Sequence, residues 1–112
     1  MSEYSVSLHW ARSSEDFTLK SYNRDHVWRF TASQQLKASA APEYLGDAEL
    51  ANPEQSFVAA LASCHMLTFL ALAARQGFVV DSYEDQPVGL LAKNEQGVMA
   101  MTEVSLKPSI QF

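Results

Sequence analysis

The chain has 112 residues, of which 47% are hydrophobic and 19% are charged, and its formal net charge is −5. Disordered chains combine low hydrophobicity with high net charge, so this composition predicts one folded domain over residues 1–112. The negative charge argues against a protein that tracks nucleic-acid phosphates and against docking on an anionic membrane. One cysteine allows no intramolecular disulfide, and the first residues lack the features of a signal peptide. We therefore expect a cytoplasmic protein without nucleic-acid or membrane partners.

The N-terminal half has the pattern of β structure. Residues 4–12 begin with apolar residues at every second position, which is typical of a strand with one buried face. Residues 17–31 are rich in aromatic and β-branched residues and predict a second strand. Three residues with polar or cationic groups share one face of this second strand by alternation: Tyr22, Arg24 and His26. Residues 32–51 predict a loop with one short strand or turn.

The clearest predicted element is a long helix that begins at Pro53 and ends near residue 76. Asn52 can cap the helix, and proline is favoured at the first helical position. Gln55 completes a capping box. Gly77 follows the last turn, where glycine is favoured because it adopts a positive φ without strain.

This helix is apolar on nearly all sides, since no charged residue occurs between Phe57 and Ala74. Such a helix is typical of a membrane span or of a protein core. Its many alanines and the polar His65 favour a buried core helix. A domain of this size cannot easily cover such a helix on every side, so we expect a homodimer in which a second chain covers part of it.

Strands return after the helix. Residues 88–92 alternate, residues 94–97 predict a turn, and residues 98–112 alternate over their whole length. The last segment predicts one long antiparallel strand with a buried face, in which Pro108 marks an edge or a bulge. The fold class is therefore α+β, with an antiparallel sheet and one long central apolar helix.

Cys64 is the candidate nucleophile. It lies twelve residues beyond Asn52, in the middle of the helix, where the helix dipole has no effect because that effect fades within the first turn. An activated thiol at this position needs a cation from elsewhere in the structure. The alternative is a small, inert core residue. His65 adjoins Cys64, but successive helical side chains point about 100° apart, so a Cys-His dyad within one chain is not predicted.

Other types of site have little support. The histidines lack the spacing of a zinc site, and the glycines form no phosphate-binding loop, so no metal or cofactor is expected. Arg24 is the most interesting cation because it alternates with Tyr22 and His26 between aromatic-rich flanks. The alternative is that Arg24 is a solvated strand arginine, and Arg12 and Arg29 are the other candidate cations.

The motif Asn52-Pro53-Glu54-Gln55, followed by a small-residue helix to Ala62-Ser63-Cys64-His65, resembles the OsmC-like family. This family contains osmotically induced and organic-hydroperoxide-resistance proteins. Residues 77–83 and 101–104 are similar to the family's later strands, and the resemblance extends over residues 4–112. It implies an intertwined dimer with sites at the interface. It also implies a thiol-dependent peroxidase that reduces organic hydroperoxides in oxidative-stress defence.

The resemblance also implies roles for individual residues. Cys64 matches the family's peroxide-attacking cysteine. Glu54 matches an acid that pairs with an arginine beside the reactive thiol, and Arg24 is the best match for that arginine, with Arg12 second. Glu54 and Cys64 are ten residues apart, about 15 Å along a helix and on different faces. If both serve one site and the helix is unbroken, they come from different chains.

One departure from the family affects the reaction cycle. The family has a second cysteine, in a C-terminal helix, that resolves the oxidised first cysteine as a disulfide. This chain has no second cysteine and stops at Phe112, in mid-strand and before that helix, so it is either a truncated form or a natural short member of the family. A peroxidase of this kind needs an external thiol reductant. The alternatives are an OsmC-like small-molecule binder or redox sensor without turnover, and a structural domain in which Cys64 is inert.

Overall fold

The computed structural model describes residues 1–112 and contains seven strands, one α-helix and one 3-10 helix. In chain order these are β1 (Ser7–His9), β2 (His26–Thr31), β3 (Gln34–Ala38), a 3-10 helix (Pro42–Tyr44), α1 (Pro53–Arg75), β4 (Ser82–Glu84), β5 (Val88–Lys93), β6 (Met99–Ser105) and β7 (Ser109–Gln111). The predicted α+β class with antiparallel strands is confirmed. The chain forms two compact units, an N-terminal unit (Met1–Pro53) and a C-terminal unit (Glu54–Phe112). A single domain over residues 1–112 stays a prediction.

The N-terminal unit holds a three-stranded antiparallel sheet in the order β1-β2-β3. Both strands predicted here are shorter than expected, since β1 has three residues and β2 begins only at His26. Residues 17–25 form turns instead. The Tyr22 amide donates to the Thr18 carbonyl, and the Ser21 hydroxyl accepts a bond from the Thr18 amide at 2.9 Å. Such local bonds give the backbone an alternative to a sheet ladder.

The segment between β3 and the helix is tightly closed around Ser39. Ser39 is fully buried, and its hydroxyl accepts a hydrogen bond from the Asp47 amide at 3.0 Å. Its own amide donates to the Ala51 carbonyl at 2.8 Å. Gly46 lies against Ala40, because a Cβ atom at position 46 would fall 1.7 Å from the Ala40 carbonyl oxygen. The loop predicted over residues 32–51 is therefore a compact structure with one strand and one turn of 3-10 helix.

Helix α1 has the bounds that its capping residues predict. Its C-terminal end is a Schellman motif, in which Gly77 has a φ of +83° and its amide donates to the Ala74 carbonyl. The Phe78 amide donates to the Ala73 carbonyl at 2.9 Å. These two bonds satisfy carbonyls that the last turn leaves without helical partners.

The single chain covers little of α1, so the expected cover by a second chain stays a prediction. Ala73 is the only residue of the helix that is buried, and only 11% of the long apolar stretch of the helix is buried. Large apolar side chains on the helix are exposed, among them Leu67, at 60%. By length and composition the helix could cross a membrane, although core helices meet the same criterion. Its apolar surface thus exceeds what the chain itself covers.

The C-terminal unit contains two antiparallel strand pairs, β5-β6 and β4-β7. The single strand predicted over residues 98–112 is wrong, since residues 106–108 separate β6 from β7 and each pairs with a different partner. A break is expected near Pro108, which has no amide to donate. In the β5-β6 pair, Leu90 of β5 lies opposite Glu103 of β6, and the next residue, Leu91, lies opposite Met101. Thr102 of β6 is therefore an extra residue that forms a β-bulge.

Gly89 sets the closeness of helix and strands in this unit. A Cβ atom on Gly89 would lie 2.4 Å from Cγ2 of Val58 on α1 and 2.5 Å from Cε of Met101 on β6. The absence of a side chain at Gly89 thus lets the helix approach the β5-β6 pair. This approach places the following turns of α1, including Cys64, near the end of β6.

Candidate functional site

Cys64 lies in a mostly apolar groove of about 420 Å³ in the C-terminal unit. Helix α1 contributes four lining residues, and the end of β6 with the residue that follows it contributes two: Leu61, Cys64, His65, Thr68, Val104 and Leu106. The Cys64 thiol is free and exposed in the chain. This exposure argues against an inert residue sealed in the core, because reactive cysteines are partly accessible and structural ones are buried.

His65 lines the same groove and is held by Tyr83. A hydrogen bond of 3.0 Å joins His65 Nδ1 to the Tyr83 hydroxyl. The Tyr83 ring in turn contacts Phe69, with 5.9 Å between ring centroids. Tyr83 could not be identified from the sequence. It is eighteen residues from His65, and no local pattern indicates which strand packs against this part of the helix. The groove therefore combines a thiol with a positioned imidazole.

Arg24 lies in the N-terminal unit, in the turns before β2. Its guanidinium carbon sits 3.7 Å from the centroid of the Tyr22 ring, a cation-π contact. One terminal nitrogen donates to the Tyr22 carbonyl at 2.5 Å, and the other donates to the Leu19 carbonyl. Both acceptors are neutral, so these bonds fix the position of the guanidinium without cancelling its positive charge.

An aromatic cluster supports the turns that carry Arg24. The rings of Phe17 and Tyr22 stack with centroids 5.0 Å apart, and Trp10 meets both edge-on. The Trp10 indole donates to the Asn23 carbonyl at 2.7 Å, and the Asn23 side chain bonds the backbone of Ala11 and Ser13. These groups and Arg24 line an apolar pocket of about 430 Å³.

The alternative arginines are engaged differently. Arg12 donates to the carbonyls of Ser14 and Glu15 and so closes the exposed turn that follows β1. Arg29 is exposed on β2 and donates to the Gln35 side chain across the strand pair. Neither side chain lies over an aromatic ring, whereas Arg24 combines its two carbonyl bonds with a cation-π contact.

Glu54 lies in the first turn of α1, in the C-terminal unit. Its Oε2 atom is buried and has no hydrogen-bond partner. Buried carboxylate oxygens usually accept bonds, so this atom is an acceptor suited to a cationic donor. The structure thus brings Cys64, His65 and Tyr83 together in one unit, while Arg24 belongs to the other. No group of three or more potential metal-binding side chains occurs.

Comparison with known proteins identifies relatives. A sequence model described as OsmC-like protein matches residues 46–112. Among solved structures, the chain is similar to an OsmC-like protein of unknown function from Vibrio cholerae O1 biovar eltor strain N16961. The identity is 44%, the TM-score is 0.94, and the match covers 100% of this chain and 76% of that one. No curated protein matches the chain.

Proposed function

The chain belongs to the OsmC-like family, and we propose that it is a cytoplasmic thiol peroxidase that reduces organic hydroperoxides through Cys64. The observation that carries this proposal is the exposed thiol in an apolar groove. An apolar lining favours a peroxide with a hydrocarbon group over hydrogen peroxide, because burying that group is itself favourable. No metal or organic cofactor is needed for this chemistry.

The reaction is a two-electron oxidation of sulfur. The Cys64 thiolate attacks the distal oxygen of the hydroperoxide, a sulfur-oxygen bond forms, and the oxygen-oxygen bond breaks. The products are a sulfenic acid on Cys64 and, after the leaving alkoxide gains a proton, an alcohol. With one cysteine in the chain, an external dithiol returns the sulfenic acid to the thiol with release of water.

Arg24 and Glu54 have electrostatic roles in this proposal. A guanidinium beside the sulfur stabilises the thiolate over the thiol. The positive charge of Arg24, bound only by neutral carbonyls in its own unit, suits that role. The unpartnered buried oxygen of Glu54 is an acceptor that would orient such a guanidinium. Arg12 is the second choice, because its donors close a surface turn.

We further propose that the chain works as a homodimer. Helix α1 is continuous, and about 15 Å of rise separates Glu54 from Cys64. A site that uses both residues therefore takes them from two chains. The exposed apolar surface of α1 supports the same conclusion, since exposed patches of this kind mark interaction surfaces.

Replacing Leu67 with glutamate is expected to break the dimer. Leu67 is 60% exposed on α1, and a charge buried at an interface is costly without a partner. Light scattering after gel filtration should give twice the chain mass for the wild type and a lower mass for Leu67→Glu. The matched control is Leu19→Glu, which changes an exposed leucine in the turns before β2. A monomeric wild type would contradict the dimer proposal.

Alkylation of Cys64 in the native chain tests the proposed activity. The thiolate is the form that alkylates, so an activated Cys64 should react with iodoacetamide faster in the native chain than a small free thiol does under the same conditions. Prior treatment with one equivalent of an alkyl hydroperoxide should block the labelling. Labelling that needs unfolding and ignores peroxide would contradict the proposal.

A second candidate function is a redox sensor or small-molecule binder of the same fold. The single cysteine among these 112 residues favours it, because one thiol alone cannot form an intramolecular disulfide. This alternative predicts one round of oxidation and no continuous peroxide consumption with any dithiol. A coupled assay with dithiols of several sizes separates the two functions.

A further inference from the structure

Proton delivery in the Cys64 groove is the open chemical question. Breaking the oxygen-oxygen bond of an alkyl hydroperoxide leaves an alkoxide, which is a strong base. The lining of the groove is otherwise apolar apart from Thr68, and it contains one imidazole, that of His65. The Nδ1 atom of His65 is bonded to the Tyr83 hydroxyl at 3.0 Å. This bond leaves Nε2 as the ring nitrogen for a ligand.

We propose that His65 is a catalytic acid that protonates the leaving alcohol oxygen, and that Tyr83 is its positioning residue. The inference rests on the proposed peroxidase function and deepens it. When the Tyr83 hydroxyl donates to Nδ1, the neutral ring carries its hydrogen on Nε2, as an acid in the groove requires. The Tyr83 ring also packs on Phe69, with 5.9 Å between the ring centroids, and this packing helps to hold the tyrosine in place.

The step is balanced in atoms and charge. The thiolate sulfur bonds to the distal hydroxyl of the hydroperoxide and is oxidised by two electrons, while the oxygen-oxygen bond takes up those electrons. The Nε2 proton passes to the proximal oxygen and gives the alcohol. The Tyr83 hydroxyl proton passes to Nδ1, and water returns a proton to the phenolate. The sum is thiolate, hydroperoxide and one proton giving sulfenic acid and alcohol.

The acid also explains how the site would select among peroxides. Alkyl hydroperoxides release a basic alkoxide and depend on a proton donor, whereas a peracid releases a weakly basic carboxylate and does not. General acids contribute most when the leaving group is most basic. The arrangement therefore suits alkyl hydroperoxides, and loss of His65 should lower the reaction with them selectively.

The test compares tert-butyl hydroperoxide with peracetic acid as oxidants of the 112-residue chain. Stopped-flow oxidation of Cys64 should be about 100-fold slower with tert-butyl hydroperoxide in His65→Gln, and unchanged with peracetic acid. Tyr83→Phe should show a smaller loss of the same selective kind. His9→Gln, at an exposed histidine on β1, is the matched control and should change neither rate.

Other results would overturn the inference. Equal losses with both peroxides would indicate that His65 only supports the structure, and unchanged rates with both would show that it gives no proton. Iodoacetamide labelling of each variant reports on the thiolate independently, because alkylation needs no acid. A wild-type Cys64 that reacts with neither peroxide would overturn the proposed function itself, and the inference with it.

Discussion

Replacing Cys64 with serine is expected to abolish peroxide consumption completely. A serine hydroxyl is far less nucleophilic than a thiolate and forms no sulfenic acid, so no intermediate remains for a thiol reductant to recycle. The substitution changes one exposed atom in the groove, and stability should therefore change little. The measurement is loss of tert-butyl hydroperoxide with an excess of dithiol, together with thermal unfolding of both proteins.

The control for this prediction is Ser63→Ala, which alters the adjacent helical residue but leaves the thiol. It should consume peroxide at the wild-type rate. Residual turnover in Cys64→Ser at more than about 1% of the wild-type rate would contradict a cysteine mechanism, since removing a nucleophile costs several orders of magnitude. Mass spectrometry of the wild type should find one added oxygen, on Cys64.

Replacing Arg24 with glutamine is expected to slow the reaction of Cys64 with peroxide by about 100-fold, the size of effect seen when one electrostatic donor is lost from an active site. The variant removes the charge but keeps an amide group that can donate hydrogen bonds. The rate of Arg24→Lys should fall between those of the wild type and Arg24→Gln, because lysine keeps the charge but loses the planar stacking on Tyr22. The readout is the rate of Cys64 oxidation and of alkylation at neutral pH.

Matched substitutions at the other arginines make this prediction specific. Arg29→Gln, on the exposed side of β2, should leave both rates unchanged. Arg12→Gln should also leave them unchanged. A large effect at Arg12 with none at Arg24 would transfer the role to the arginine in the turn after β1.

The helix was the most predictable part of the fold. Its start at Pro53 and its end before Gly77 could be predicted because the signals for both ends are local. The residues that begin and end the helix lie next to its first and last turns in the sequence. The strand predicted over residues 17–31 begins only at His26. The alternating pattern before His26 is present in the sequence, but local hydrogen bonds there favour turns. The Ser21 hydroxyl accepts from the Thr18 amide, and Arg24 donates to the Tyr22 carbonyl and lies over the Tyr22 ring. These local contacts favour turns over a strand.

The candidate site divides in the same way. Cys64 and Glu54 became candidates because they lie in one sequence motif, and Arg24 because of its alternation with Tyr22 and His26 and because of the family resemblance. Tyr83 could not, since its bond to His65 depends on where β4 meets the helix. The compact structure around Ser39 could not be predicted either. It depends on the close approach of Gly46 to the Ala40 carbonyl, which nothing in the local sequence indicates.

The bulge at Thr102 changes which face of β6 the residues after it point to. In a regular strand Met101 and Val104 point to opposite faces, yet both lie toward Gly89, 2.5 and 3.9 Å from the position of its missing Cβ atom. The extra residue is what turns Val104 toward the helix and into the wall of the Cys64 groove. Deleting one residue between Met101 and Val104 would therefore turn Val104 away from the groove even if every remaining side chain were kept.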